Sequence, residues 1–113
     1  MSAAEPHGAE RDLAAVFAAL GDTTRLAIVR KLGGGRQLSI SALACDGGLT
    51  RQAVTKHLRT LQKAGLVASL RAGRETRYAL EAAPLVSAHE HLVRAAAHWD
   101  RSLERLRALV EDP

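Results

Sequence analysis

One segment of the chain concentrates side chains that can contact base edges and phosphates. Within seven positions lie five polar or basic residues: Thr50, Arg51, Gln52, Thr55 and Lys56. Arginine can pair with guanine, glutamine with adenine, and threonine can contact a phosphate or the methyl group of thymine. Val54, Leu58 and Leu61 recur at helical spacing, which predicts an amphipathic helix with one buried side. The pattern is typical of a helix that enters the major groove of DNA.

Basic residues continue beyond the start of this helix. The further candidates for contact with DNA are His57, Arg59, Arg71, Arg74 and Arg77. From residue 51 to residue 77 the chain has seven basic residues and one acidic residue, whereas the remainder has nine basic and eleven acidic ones. Such a local excess of positive charge suits a polyanion, although charge alone would also fit a solvated basic face. For His57, packing and a phosphate contact both stay open.

Four predicted helices position these residues. Hydrophobic residues from Leu13 to Leu20 recur at helical spacing, so the first helix spans roughly residues 9–20. Capping residues and glycines delimit the next three: Asp22 caps the second before Gly33, Ser39 or Ser41 caps the third before Gly47, and Thr50 caps the fourth before Gly65. A short helix, a tight turn and a polar-faced helix in this order predict a helix-turn-helix.

The hydrophobic period changes after the fourth helix. Residues 66–70 and 75–80 predict two strands of a hairpin, with residues 71–74 as the turn. A last helix is predicted to start near Pro84 and to run to about Glu111. Its apolar residues recur at spacings of three and four, and together they form the C-terminal seam: Leu85, Ala88, Leu92, Ala96, Trp99, Leu103, Leu106 and Val110.

The C-terminal seam is too long for so small a domain to cover, which predicts a homodimer. The residues expected at the interface come from the first and last helices: Leu13, Phe17, Leu92, Ala96, Trp99, Leu103 and Leu106. A dimer of this kind would present two recognition helices to an inverted repeat in double-stranded DNA. The alternative is a last helix that folds back on its own domain.

The 113 residues suit one domain, predicted as a disordered lead-in at residues 1–8 and a folded domain at residues 9–113. The longest apolar run has eight residues, far fewer than the ~20 that span a bilayer, and no secretion signal is visible. A single cysteine, Cys45, excludes an internal disulfide and favours a cytoplasmic protein that does not contact a membrane. We expect this cysteine to be buried.

Four segments, taken in order, resemble the ArsR/SmtB family of winged-helix repressors: Ala18–Leu26, Leu49–Leu58, Ala64–Val67 and Arg71–Leu80. The resemblance covers roughly residues 13–99, and Thr23 departs from the proline that the family often has there. It implies a mainly helical winged helix-turn-helix with a small β-hairpin wing, and an obligate dimer through the first and last helices. It also implies that the protein represses its own operon until an effector of unknown identity weakens DNA binding.

The usual metal ligands of that family are missing. Where its soft-metal sensors have Cys-x-Cys, this chain has Leu43 and Cys45, and a lone thiolate cannot form a multi-sulfur site. The four ligand positions of its zinc sensors hold Ala82, Pro84, Ala95 and His98. We therefore predict no metal. The alternative is a zinc or nickel site at the dimer interface, formed by His89, His91 and His98.

No pattern in the chain predicts catalysis. The run of glycines at residues 33–35 lacks the lysine and hydroxyl residue of a phosphate loop, and no nucleophile elbow or metal-hydrolase motif occurs. We expect no catalytic residue and no cofactor, and we interpret the chain as a sequence-specific DNA-binding regulator. The rival interpretation is a winged helix that binds an acidic protein, although such a module would not need base-reading side chains.

Overall fold

The computed structural model describes residues 6–45 and 47–111. The helices of this part of the chain are α1 (Pro6–Leu20), α2 (Thr23–Lys31), α3 (Ile40–Ala44), α4 (Arg51–Lys63) and α5 (Ala82–Glu111). Its strands are β1 (Leu38–Ser39), β2 (Val67–Ala72) and β3 (Glu75–Leu80). The predicted fold class is therefore confirmed: a mainly helical winged helix-turn-helix, in which α3 and α4 form the helix-turn-helix and β2 and β3 form the wing.

Side-chain caps fix where α2, α3 and α4 begin: Asp22 and Thr50 are the predicted caps, and of the two candidates for α3 the cap is Ser39. Asp22, Ser39 and Thr50 are extended, and the side-chain oxygen of each accepts a hydrogen bond from the backbone N–H three residues later, at 3.0, 3.1 and 3.0 Å. Without a cap these amides would lack a partner, because the first turn of a helix has no preceding carbonyl to use. After α4 the chain reverses at Gly65, whose φ of +78° suits glycine.

The hydrophobic core lies between α1, α2, α3, α4, the start of α5 and the base of the wing. Its buried members are Val16, Ala19, Ile28, Leu32, Leu43, Val54, Leu58, Leu61, Leu66, Val67 and Ala88. Among the described residues none of the buried side chains is polar or charged. Burying each large aliphatic side chain contributes roughly 1.5–3 kcal/mol. The α4 leucines and valine therefore anchor that helix to the rest of the domain.

The wing belongs to a small antiparallel sheet with the strand order β1-β3-β2. Ala72 pairs with Glu75, which leaves Gly73 and Arg74 as a two-residue turn. Gly73 has a φ of +67°, the conformation that tight hairpin turns with glycine first require. The predicted turn at residues 71–74 is thus too long, because the strand pairing continues through Arg71. The two-residue strand β1 was not predicted, since so short a segment carries no detectable period.

Two helices begin earlier than predicted. Helix α1 starts at Pro6 instead of Ala9, so the last three residues of the predicted lead-in are helical, and residues 1–5 lie outside the described residues. Proline suits the first helical position because it has no N–H to leave without a partner. Helix α5 starts at Ala82, two residues before Pro84. Proline is tolerated there because amides of the first turn do not bond within the helix.

Helix α5 packs against α1 near its start and then extends beyond the core. The molecule measures 70 × 42 × 22 Å along its principal axes, and the 30 residues of α5 account for a rod of about 45 Å. Ala88 is the one buried residue that α5 contributes. The large apolar residues that it leaves exposed are Val86, Leu92, Val93, Trp99, Leu103, Leu106, Leu109 and Val110.

We expect Leu61→Ala to lower the free energy of unfolding by about 2–5 kcal/mol, because it removes buried methyl groups and leaves a cavity. Urea denaturation at fixed protein concentration measures this change. Gln62→Ala is the matched control: the neighbouring side chain is exposed, so its loss should change stability by less than about 0.5 kcal/mol. Equal losses in the two variants would contradict the core position of Leu61.

Candidate nucleic-acid interface

Helix α4 separates its apolar and polar residues around its circumference. Val54, Leu58 and Leu61 are 0–1% exposed. The polar face of α4 consists of Arg51, Gln52, Thr55, Lys56 and Arg59, all exposed except the half-buried Thr55. At about 100° per residue these five positions span about 140°, centred about 120° from the buried side. The five candidate residues of α4 therefore share one accessible face.

Two threonines of this region already use part of their hydrogen-bonding capacity. The hydroxyl oxygen of Thr50 caps α4, as described above, and the Thr55 hydroxyl donates to the carbonyl oxygen of Arg51 at 2.8 Å. Thr55 therefore retains its methyl group and its acceptor lone pairs for an outside partner. Arg51 and Gln52 make no side-chain hydrogen bond within the described part of the chain. Both side chains are exposed, so the guanidinium of Arg51 and the amide of Gln52 are accessible to an outside partner.

The wing does not present its three arginines as one group. Arg71 and Arg74 are exposed near the tip. Arg77 pairs across the hairpin with Leu70, whereas Arg71 pairs with Thr76. Because side chains alternate along a strand, Arg71 and Arg77 project from opposite faces. In addition, the Nε atom of Arg77 donates to Oε1 of Glu75 at 2.8 Å, so Arg77 is already in an ion pair.

His57 lies on a different side of α4 from the polar face. Its ring is half-buried, and its Nδ1 atom is 3.3 Å from Nη1 of Arg25 and 4.0 Å from Oδ2 of Asp22. The pKa of Asp22 is lowered, mainly because its carboxylate accepts the backbone N–H of Arg25, and further by the positive charge of Arg25. The sequence pattern showed Asp22 as a cap but gave no sign of the role of Arg25.

The residues predicted at the dimer interface differ in exposure. Leu13 and Phe17 are half-buried on α1 and pack against the core, whereas the interface candidates of α5 are exposed: Leu92, Ala96, Trp99, Leu103 and Leu106. Trp99 is 64% exposed. A groove of about 720 Å³ borders this region, between α1, the end of α4 and the start of α5. The exposed apolar side of α5 therefore remains uncovered in the single chain.

Neither the histidines of α5 nor the cysteine forms a metal cluster within one chain. His89, His91 and His98 are exposed, and the His91 ring lies 6.5 Å from the Phe17 ring, between centroids. In residues 6–45 and 47–111 no group of three or more histidine, cysteine or acidic side chains could hold a metal ion. Cys45 was expected to be buried, and this was wrong: it is exposed, at the position that follows the last residue of α3, Ala44.

None of the helices within residues 6–45 and 47–111 is long and apolar enough to cross a membrane.

This chain is similar to known transcriptional regulators. A family model described as a helix-turn-helix domain matches residues 20–69. The HTH-type transcriptional regulator Rv2034 of Mycobacterium tuberculosis is 37% identical over 93 residues, which cover 82% of this chain and 83% of that protein. An ArsR-like transcriptional regulator from Rhodococcus sp. RHA1 superposes with a TM-score of 0.80 and 42% identity, over 94% of this chain and 99% of that one.

The chain belongs to the ArsR family of winged helix-turn-helix transcriptional regulators. The resemblance seen in the sequence is thereby confirmed, as is the expectation of a DNA-binding regulator instead of an enzyme. A further ArsR-like neighbour is a homodimeric winged helix-turn-helix DNA-binding domain from Mycobacterium bovis, with 28% identity and a TM-score of 0.63 over 93% of this chain and 95% of that one.

We expect the carboxylate of Asp22 to stabilise the regulator at neutral pH and to stop doing so in acid. Its pKa lies below the ordinary value of 3.8, so the folded state favours the charged form, and this contribution is lost as the pH falls through the lowered pKa. Asp22→Asn retains a capping side chain without the charge. The stability advantage of the wild type over Asp22→Asn should therefore shrink between about pH 5 and the acid limit of folding.

Urea denaturation across this pH range measures that difference. Ser39→Ala is the control, because it removes a cap that does not titrate, and its cost should stay constant with pH. A wild-type advantage over Asp22→Asn that is equally large at neutral and acid pH would contradict the prediction.

Proposed function

We propose that this ArsR-family chain is a homodimeric repressor that binds an inverted-repeat operator with sequence specificity. The observation that carries the proposal is the division of α4: its apolar side is fully buried, while Arg51 and Gln52 are exposed at its first turn. A helix held in this way presents its N-terminal side chains to base edges, as helix-turn-helix proteins do in the major groove.

Each candidate residue has a proposed contact. Arg51, Gln52 and Thr55 face base edges, and Lys56 and Arg59 contact phosphates farther along α4. Arg71 and Arg74 place the wing on flanking phosphates or in the minor groove. Arg77 has a lesser part, because a phosphate would have to compete with Glu75 for its guanidinium. Thr50 positions the helix start through its cap.

Two features support the homodimer. Five seam residues of α5, from Leu92 to Leu106, are exposed in the single chain, and a patch of this kind on a soluble protein marks an interaction site. The related domain from Mycobacterium bovis is homodimeric. We propose that α1 and α5 of two chains pack together, which would place two copies of α4 about one helical turn of DNA (~34 Å) apart.

We propose repression because a dimer bound at its own upstream DNA would exclude polymerase from overlapping sites. The proposed place of action is the cytoplasm, and the proposed partners are double-stranded DNA and a second copy of this chain. No metal or cofactor is part of the proposal, because the metal-ligand motifs of the family are replaced in this sequence. Gel shift and footprinting with the upstream DNA of its own gene would test it.

We expect Arg51→Ala to weaken binding to the selected operator by about 1–3 kcal/mol and to relax the base preference at one position of each half-site. The operator is first obtained by selecting bound duplexes from a random pool. Arg74→Ala is the comparison variant: it should weaken binding to all sequences alike and reduce the salt slope by about one for each chain of the dimer. An unchanged affinity and selectivity in Arg51→Ala would contradict the placement of α4. If the wild type selected no DNA, the rival interpretation would be favoured, in which the winged helix binds an acidic protein.

We expect Trp99→Ala to weaken the dimer, because the interface would lose a large apolar side chain worth roughly 1.5–3 kcal/mol of burial. Sedimentation over a range of protein concentrations measures this directly, and DNA affinity should fall most at low concentration. Arg101→Ala, on the opposite side of α5, is the control and should leave the dimer unchanged. A Trp99→Ala protein that is as dimeric as the wild type would exclude Trp99 from the interface.

A further inference from the structure

A single arginine joins three helices at one edge of the recognition helix. The Nε atom of Arg25 donates to the carbonyl oxygen of Ala19 at 2.7 Å, and Nη2 donates to that of Ala18 at 3.4 Å. Its Nη1 atom lies 3.3 Å from Nδ1 of His57 on α4. Arg25 itself is in the first turn of α2, where its backbone N–H bonds to Asp22. The end of α1, the start of α2 and the middle of α4 therefore meet at this guanidinium.

The chemistry of this junction requires arginine. The last carbonyls of α1 have no partner within the helix and carry its partial negative charge, although the backbone N–H of Gly21 also donates to the carbonyl oxygen of Ala18 at 3.2 Å. A planar guanidinium can donate to two carbonyls and to a third group at the same time. Lysine has one nitrogen and could not span these acceptors. Asp22 lies on the same junction, 4.0 Å from His57, and so balances part of the positive charge.

The contact also fixes the tautomer of His57. A guanidinium has donors and no acceptor, so a hydrogen bond between Nη1 of Arg25 and Nδ1 of His57 requires Nδ1 to accept and the ring proton to lie on Nε2. A histidine that carried both protons would lose this bond and place a second cation beside Arg25. Residue 57 falls about 100° beyond the polar face of α4. Its half-buried ring thus faces the α1–α2 junction instead of the face proposed to meet DNA.

We propose that Asp22, Arg25 and His57 are positioning residues that fix the rotation of α4 against the end of α1. Packing of α4 through leucines and valine is not directional, whereas hydrogen bonds at an edge of the helix are. The junction would thereby link α1, expected at the dimer interface, to the helix that reads DNA. This inference rests on the proposed function, and it assigns His57 to positioning instead of phosphate contact.

Two conservative variants of His57 separate these roles. The amide of Asn reaches about as far as Nδ1, and the amide of Gln about as far as Nε2, so His57→Asn can still accept from Arg25 whereas His57→Gln cannot. The probe is a duplex of about 30 base pairs that the wild-type protein selects from a random pool. We expect His57→Asn to bind within about twofold of the wild type, and His57→Gln and Arg25→Met to bind about three- to tenfold more weakly, as expected for one lost hydrogen bond.

The salt dependence and a double variant complete the test. All variants should keep the wild-type salt slope, since a positioning residue releases no counterion, and Arg25→Met combined with His57→Gln should bind no more weakly than either alone. If His57→Gln kept wild-type affinity while His57→Asn lost it with a flatter salt slope, His57 would contact a phosphate and the proposal would fail. It would also fail if the two losses were additive, or if no variant differed from the wild type.

Amide hydrogen exchange tests the junction without DNA. Backbone amides of α4 should exchange faster in Arg25→Met and His57→Gln than in the wild type, and at the wild-type rate in His57→Asn. If the wild type selected no duplex, the proposed function would fail while this measurement still decided on the junction. Unchanged exchange in all three variants would overturn the proposed positioning role of Arg25 and His57.

Discussion

The apolar anchoring of α4 is the constraint on which the rest of the structure depends. Val54, Leu58 and Leu61 are almost fully removed from solvent, and they pack against α1, α2 and the base of the wing. Because no polar side chain is buried among the described core residues, nothing in the interior competes with this packing. The opposite side of α4 can therefore carry a dense set of cations without loss of the fold.

Hydrogen bonds define the rotation of α4, which apolar burial alone leaves undetermined. Hydrophobic contacts fix which side of α4 faces inward but tolerate small rotations and shifts of the helix. Reading base edges requires hydrogen-bond geometry, and hence a defined rotation. In this ArsR-family chain the Thr50 cap fixes where α4 starts, and the contacts around Arg25 tie its middle to the end of α1. Both are polar interactions at the periphery of the core.

The single chain leaves the apolar side of α5 without a packing partner. Helix α5 extends past the domain and exposes a tryptophan and several leucines and valines. Because of this extended shape, the single chain buries little surface per residue. Small domains often gain the missing burial by association. A relative of the same fold is a homodimer, and in a two-fold assembly the same contact that stabilises α5 would also set the distance between the two α4 helices.

The sequence by itself determined the order of the five helices and the two wing strands, the caps at Asp22 and Thr50, and the buried and exposed sides of α4. Local rules suffice for these, because a capping oxygen or a period of 3.6 acts within one helix. Only the tertiary structure decided that Arg77 pairs with Glu75 away from Arg71, that Cys45 is exposed, that β1 joins the sheet, and that Arg25 meets His57. The pairing of β1 with β3 and the contact of Arg25 with His57 join segments distant in sequence. The face on which Arg77 lies depends on the register of the hairpin, and the exposure of Cys45 depends on where α3 ends. No pattern within a single element records these relations.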